Sequence, residues 1–274
     1  MRFIRRYALD AVAVVVCLAV FVVPFAFIVL TASKTPEQAR EWKLSLPSQW
    51  RFWSNLKDVL SFDDGLVLLA MKNSFIITFC SVALIVVFGS MVGFVLDRRR
   101  DRFSQVGNVL ITMGLIIPPA VVPTIYTLQQ LHLFKTLQGL VLVEVAFGLP
   151  YAIILFRAFA STIPRDLDEA AMIDGCSGLR LFFRVIFPLL RPVTITVIIT
   201  SSIAIYNDFT NPLYFLPGRE NATAQLTLFN FRSQFLSQWN LLFMDALLIT
   251  VPPFIMFLLF NRRIVDGLAG AVKG

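Results

Sequence analysis

Six long apolar stretches constrain this chain more than any other feature of its sequence. They run over roughly residues 8–31, 73–96, 107–131, 137–157, 192–216 and 241–260. A helix needs about 20 predominantly apolar residues to cross the hydrocarbon core of a bilayer, and each stretch is of that order. We therefore predict an all-α integral membrane protein with six transmembrane helices, which form a single domain over residues 1–274.

The composition agrees with a chain that lies in lipid. Hydrophobic residues make up 57% of it, charged residues only 15%, and the mean hydropathy is +0.77. The 24 Lys and Arg exceed the 17 Asp and Glu, but these basic residues lie in short clusters between apolar stretches. This pattern is typical of membrane topology and does not indicate a nucleic-acid-binding face.

The positions of Lys and Arg predict the orientation, because basic loops stay in the cytoplasm. The segments that would share one side hold 15 of the 24 basic residues, and they are the N-terminus, the loop 97–102, the segment 157–191 and the tail 261–274. We therefore expect both termini in the cytoplasm. Segment 32–69 then lies outside, and its Trp42, Trp50 and Trp53 suit either interfacial anchoring or docking of an external partner.

Three prolines interrupt the third stretch, at positions 118, 119 and 123. Proline removes a backbone donor and kinks a helix, which lipid tolerates only where neighbours or a water-filled cavity satisfy the freed carbonyl groups. The prolines therefore predict a bent helix, either beside a transport pathway or with a packing role alone.

The predicted cytoplasmic loop 158–191 is too apolar for a solvated connection. Its apolar residues are Leu179, Leu181, Phe182, Phe183, Val185, Ile186, Phe187, Leu189 and Leu190, so the loop must pack against something. Pro164 and the acidic residues after it predict the start of a helix that ends near Gly175. A second short helix is expected from about Gly178 to Phe187, with Arg180 and Arg184 facing lipid phosphate or an anionic protein surface.

The same loop carries a resemblance to a known family. Its residues Asp168-Glu169-Ala170-Ala171-Met172-Ile173-Asp174-Gly175, followed after nine residues by Val185-Ile186-Phe187-Pro188, resemble the EAA signature of binding-protein-dependent ABC importer permeases. That signature has isoleucine where Val185 stands and leucine where Phe187 stands, and both departures keep the apolar character. Further likeness at Asn73-Ser74, Tyr206-Asn207-Asp208-Phe209 and Gly270–Gly274 indicates the six-span partner subunit of maltose-transporter-type sugar permeases.

This resemblance implies a type I ABC importer permease fold in a prokaryotic plasma (inner) membrane. The cytoplasmic loop would contain a coupling helix that contacts an ATPase subunit through Asp168, Glu169, Ala170, Ala171, Gly175, Arg180 and Arg184. The tail residues Gly270, Lys273 and Gly274 would contact the ATPase subunits as well. The expected partners are a second homologous permease subunit, two ABC ATPase subunits, an extracytoplasmic solute-binding protein and membrane lipid, with no nucleic acid.

Polar groups within the apolar stretches indicate a pathway for the transported solute. Charged groups inside a membrane normally face a cavity or a partner, and Glu144, Asn207, Asp208 and Asp245 are predicted to converge on the outer half. The candidate pathway residues are Glu144, Tyr151, Tyr206, Asn207, Asp208 and Asn211, with either tyrosine available to stack on a sugar ring. In the alternative, Asn207 and Asp208 lock the fifth span to its neighbours.

Missing motifs limit what the chain can do by itself. It contains no Gly-x-x-x-x-Gly-Lys-Ser/Thr loop and no Cys/His cluster at metal-ligand spacing, so we expect no ATPase site, no metal and no catalytic residue. ATP and Mg would be bound by the partner ATPase subunits. A stand-alone secondary transporter or channel is the alternative, but the inverted repeat or ion relay that it needs is not evident. A membrane-embedded enzyme would lack a reacting group.

Overall fold

The computed structural model of the chain describes the backbone of residues 2–228 and 238–272 and the side chains of residues 12–228, 238–256 and 258. Every regular element in these ranges is helical, which confirms the all-α prediction. Four helices are long and apolar enough to cross a membrane. Two bent helix pairs meet the same criteria when each pair is taken as one broken span, and the total is then six.

The helices are numbered here in chain order. They are α1 (Arg2–Ala32), α2 (Pro36–Ala39), α3 (Phe52–Ser61), α4 (Leu66–Arg98), α5 (Arg102–Ile116), α6 (Val121–Gln130), α7 (Leu137–Ala160), α8 (Asp166–Ile173), α9 (Gly178–Leu189), α10 (Arg191–Tyr206), α11 (Thr210–Phe215) and α12 (Trp239–Val272). The bent pairs are α5 with α6, at 115°, and α9 with α10, at 80°.

The third stretch is bent, as its prolines predict, and it breaks after Ile116 because Pro118 and Pro119 cannot donate to a helix and hold the preceding residue extended. Three other features of the helices differ from the predicted spans. The fifth stretch, predicted as 192–216, is two helices, α10 and α11. The second span begins earlier than predicted, at Leu66, and the predicted tail 261–274 continues α12 as a helix to Val272.

The chain divides into two compact units, of which the first comprises Met1–Met71 and Ala224–Pro252. Its buried core is small and is made of Ala32, Val59, Val67, Leu241 and Met244. The amide nitrogen of Asn55 donates to the carbonyl oxygens of Ala32 at 2.7 Å and Lys34 at 2.9 Å. The Asn55 amide oxygen accepts from Asn240 Nδ2 at 3.0 Å. This fully buried asparagine thus joins the end of α1 to α3 and α12.

The second unit, Lys72–Thr223 with Pro253–Gly274, contains the larger apolar core. Within it α4 and α7 pack backbone to backbone. A Cβ atom added to Gly93 would lie 2.8 Å from Phe156 Cβ, 3.0 Å from the Arg157 backbone nitrogen and 3.1 Å from the Ile153 carbonyl oxygen. Glycine at this position therefore sets the spacing of the two helices.

Gly93→Ala is expected to lower the melting temperature of the purified importer. Alanine normally stabilises a helix relative to glycine by roughly 0.5–1 kcal/mol, but here its methyl group meets backbone and Cβ atoms that cannot yield, and overpacking costs about 1–3 kcal/mol. Gly107→Ala is the matched control, because its nearest neighbour is the flexible end of Leu96 at 3.0 Å. A thermal shift assay in detergent compares the two. A higher melting temperature for Gly93→Ala would contradict the close approach.

Candidate functional site

The loop between α7 and α10 folds into the two short helices predicted from its sequence. The first, α8, begins at Asp166, two residues after Pro164, and carries Asp166, Asp168 and Glu169 in its first turn, where the helix dipole favours negative charge. Gly175 then turns the chain with φ +80°, a conformation that favours glycine. The second helix, α9, contains a π-helical stretch over Phe182–Ile186 and includes Pro188.

The apolar residues of this loop divide into two groups. Leu181, Phe182, Ile186 and Leu190 are buried in the core of the second unit. A second group remains exposed, and it consists of Leu167, Met172, Ile173, Leu179, Phe183 and Leu189, whereas Val185 and Phe187 are partly buried. Ile173 is the most exposed of these, at 86%. The chain therefore covers only part of the loop's apolar surface by itself.

The predicted coupling residues also divide between these two environments. Glu169, Ala170, Gly175, Arg180 and Arg184 are exposed on the loop, whereas Ala171 is buried. Asp168 is buried as well, and its carboxylate accepts hydrogen bonds from Arg98 Nε at 2.5 Å and Arg98 Nη2 at 3.3 Å. The Asp168 carboxylate is therefore directed toward its own chain.

A cavity of about 400 Å³ lies beside α7 and α10. Its lining residues are Ile85, Glu144, Phe147, Gly148, Tyr151, Thr200, Ser201, Ala204, Ile205 and Asp208. The volume is within the range of about 300–1,000 Å³ that is usual for small-molecule sites. Among the described residues, the lining contributes two carboxyl groups and three hydroxyl groups but no basic side chain.

Hydrogen bonds hold both carboxyl groups of the cavity in place. Glu144, nearly buried on α7, accepts from the Asn211 side-chain amide at 3.1 Å. Asp208 Oδ1 accepts from the backbone N–H of Thr210 at 2.8 Å and of Asn211 at 3.4 Å. A short acidic side chain that bonds its own backbone in this way competes with helix continuation, and α10 ends two residues earlier.

The structure brings together only some of the predicted pathway residues. Glu144, Tyr151 and Asp208 line the cavity. Asn211 is not among the lining residues, but its side-chain amide donates to Glu144. Tyr206 is buried, Asn207 is exposed, and neither is among the lining residues. Asp208 lines the cavity and also accepts the backbone N–H groups at the start of α11.

The remaining predicted residues are Asp245 and those of the tail. Asp245 belongs to the first compact unit, where its carboxylate accepts from the Thr227 hydroxyl at 2.8 Å. Gly270 falls within α12, whereas Lys273 and Gly274 lie outside the described residues.

Sequence reasoning missed Arg98, Thr200 and Ser201. Arg98 belongs to a basic cluster that served only to predict orientation, and its partner Asp168 is 70 positions away in the chain. Thr200 and Ser201 lie within a run of hydroxyl residues in the fifth stretch. That run was the available signal, because hydroxyl groups in an apolar helix often face polar surroundings.

Comparison with known proteins gives consistent matches over nearly the whole chain. The probable starch degradation products transport system permease protein AmyC of Thermoanaerobacterium thermosulfurigenes is 32% identical over 276 residues, covering 98% of each chain. The melibiose/raffinose/stachyose import permease protein MelC of Bacillus subtilis (strain 168) is 30% identical and covers 96% of this chain and 95% of its own.

A solved structure shares the fold at lower identity. It is a bacterial ABC transporter involved in the import of the acidic polysaccharide alginate, and one of its chains matches with a TM-score of 0.82 and 20% identity over 96% of this chain and 98% of that chain. Residues 85–268, more than half of the sequence, match the family described as the inner membrane component of binding-protein-dependent transport systems. The chain belongs to this family, whose members are permease subunits of ABC importers.

Proposed function

We propose that this permease imports a neutral carbohydrate through the cavity beside Glu144 and Asp208 and that ATP hydrolysis by partner subunits drives it through α8. The coupling role of α8 rests on Ile173, which is 86% exposed at the end of the helix beside the exposed Met172, because an exposed apolar patch of this kind indicates a partner surface. The choice of a neutral carbohydrate rests on the residues that line the cavity.

The lining of the cavity suits a neutral sugar. Carboxyl and hydroxyl oxygens accept hydrogen bonds from sugar hydroxyl groups, and the half-exposed ring of Tyr151 offers an apolar face. An anionic sugar would instead meet the carboxyl groups of Glu144 and Asp208 without a basic side chain in the lining to balance them. The names of the two relatives, which refer to starch degradation products and to melibiose, raffinose and stachyose, also favour this class.

The exposed side of the loop would fit a groove of an ATPase subunit. Met172 and Ile173 would enter an apolar pocket, the small side chain of Ala170 would permit close approach, and Glu169 would meet a basic group. Arg180 and Arg184, both exposed on α9, would contact acidic residues of that subunit or lipid phosphate. Gly175 would allow α8 and α9 to present these groups together.

The proposed assembly contains this chain, a second homologous permease subunit, two ATPase subunits that bind ATP and Mg, and an extracytoplasmic solute-binding protein. Both termini would lie in the cytoplasm of a prokaryotic cell, as the distribution of Lys and Arg favours. Residues Gly270, Lys273 and Gly274 would then reach the ATPase subunits.

In the proposed mechanism, closure of the two ATPase subunits on ATP displaces α8. The loop continues through α9 into α10, and α10 ends beside Asp208 at the cavity. A rigid displacement of this segment would therefore alter access to the cavity. The solute-binding protein would deliver the sugar while the cavity faces outward, and hydrolysis would restore the inward-facing state.

Glu169→Lys is expected to reduce transport by the reconstituted importer about tenfold or more, because a like-charge contact at an interface costs several kcal/mol. Solute uptake and ATP hydrolysis in proteoliposomes provide the measurement. Glu41→Lys is the control, since Glu41 is exposed and lies 3.2 Å from the ammonium group of the likewise exposed Lys43. Unchanged transport by Glu169→Lys would refute the assignment of α8.

Asp208→Asn is expected to lower transport on the order of tenfold while the complex still assembles. Its amide oxygen can still accept the N–H of Thr210, so the turn persists, whereas charge-assisted hydrogen bonds to the sugar, worth about 1.5–3 kcal/mol each, are lost. Uptake and size-exclusion profiles provide the readouts, with Asp58→Asn on the exposed face of α3 as the matched substitution. Failed assembly would assign Asp208 a structural role only, and unchanged uptake would remove it from the pathway.

Neutral oligosaccharides are expected to be imported and oligouronates to be excluded. Uptake by cells that carry the complete importer is measured with each class of competitor at equal concentration. Efficient competition by an oligouronate would contradict the argument from the carboxyl groups of the cavity.

A further inference from the structure

We propose that Arg98 is a positioning residue that fixes the loop 158–191 to the end of α4, so that displacement of the loop reaches the cavity through α4 as well as through α10. This inference rests on the proposed role of α8 in coupling. It adds a second mechanical connection to the one provided by the continuous chain.

Arg98 is the last residue of α4, and its guanidinium group binds the loop at several points. Beyond the two bonds to the Asp168 carboxylate, Nη2 donates to the Ile163 carbonyl oxygen at 3.1 Å, and Nη1 donates to the Ala160 carbonyl oxygen at 3.4 Å. Nη1 also bonds the carboxylate of the adjacent Asp97 at 2.8 Å. One side chain therefore holds the end of α7, the connection after it and the first turn of α8.

This ion pair is shielded from water. The side chains of Arg98 and Asp168 are only 14% and 11% exposed, and Arg98 also lies over the ring of Phe94 at 5.3 Å. Charge-assisted, bidentate contacts of this kind are the strong class of hydrogen bonds. The neighbouring pair of Arg99 with Asp101 is 54% and 43% exposed, and such surface pairs contribute little.

Two further contacts fix the same end of α4 to the loop. Arg165 Nη2 donates to the Asp97 carbonyl oxygen at 3.2 Å. The ring of Phe94 packs against that of the buried Phe182 of α9, with centroids 5.8 Å apart. Arg98 is thus the polar centre of a contact that includes both short helices of the loop.

From this end, close packing continues along α4 to the cavity. Gly93 touches the backbone of α7, and a Cβ on Gly89 would lie 3.1 Å from Ala152 Cβ. Further along, a Cβ on Gly148 would lie 2.6 Å from Ile85 Cδ1, and both of these residues line the cavity. Close-packed contacts of this kind transmit a displacement instead of absorbing it.

The test uses the complete importer in proteoliposomes and measures solute transported per ATP hydrolysed. The complex with Arg98→Gln is expected to assemble and to hydrolyse ATP. Its transport per ATP should fall on the order of tenfold, which is within the usual range of a coupling between two sites. Arg99→Gln is the matched control at the adjacent position, and its ratio should equal that of the wild type. An unchanged ratio in Arg98→Gln, or an equal fall in both variants, would overturn the inference.

A double-mutant cycle separates the pair from each residue alone. If Arg98 acts through Asp168, the double variant Arg98→Gln/Asp168→Asn should have the same ratio as either single variant. If the double variant instead lowered transport per ATP by the product of the two single effects, the inference would be overturned. If Arg98→Gln fails to assemble, Arg98→Lys decides, because lysine keeps the charge but loses the bidentate geometry and should give an intermediate ratio. A wild-type ratio in Arg98→Lys would then overturn the inference.

The two proposals fail in different ways. If Glu169→Lys abolishes transport while Arg98→Gln leaves the ratio unchanged, only the role of Arg98 is refuted. If Glu169→Lys has no effect, the coupling role of α8 fails, and the inference about Arg98 fails with it.

Discussion

At Gly89 and Gly93, α4 and α7 approach so closely that a side chain at either position would press against the other helix. Lipid offers no hydrophobic gain for bringing two apolar helices together, so small residues and direct packing must supply the contact. This contact fixes the level at which Ile85 meets Gly148 on the wall of the cavity. It also fixes where Arg98 lies relative to the loop. Both candidate functional regions of the second unit therefore depend on it.

The loop after α7 contributes some apolar residues to the core of its own chain and leaves others exposed. Phe182 and Ile186 complete the core of the permease, while Met172 and Ile173 point away from it. Excess apolar character in a loop outside the membrane indicates burial, but it does not distinguish burial in the same chain from burial in a partner. The helical register of α8 and α9 makes that distinction, and only the fold reveals it.

Composition and hydropathy were enough to predict six spans, because the requirement for about 20 apolar residues per helix is strict. The loop helices were predictable from Pro164 and Gly175. The break between Tyr206 and Thr210 was missed, because it depends on the Asp208 carboxylate accepting two backbone N–H groups and not on apolar content. The contact of Asn211 with Glu144 joins residues 67 positions apart, and the contact of Arg98 with Asp168 joins residues 70 positions apart. Such pairs are set by tertiary packing, which one sequence alone does not display.

Asn55 joins segments of the first unit that are synthesised at different times. Its amide nitrogen can bond the end of α1 as soon as α3 has been synthesised, but the partner of its oxygen, Asn240, follows 185 residues later. A buried amide group without a partner is costly, so the first unit stays incomplete until α12 has entered the membrane. A nascent chain that stops short of α12 lacks both the Asn240 partner of this amide oxygen and the helix that packs on it, which gives the cell a physical difference between finished and unfinished permease.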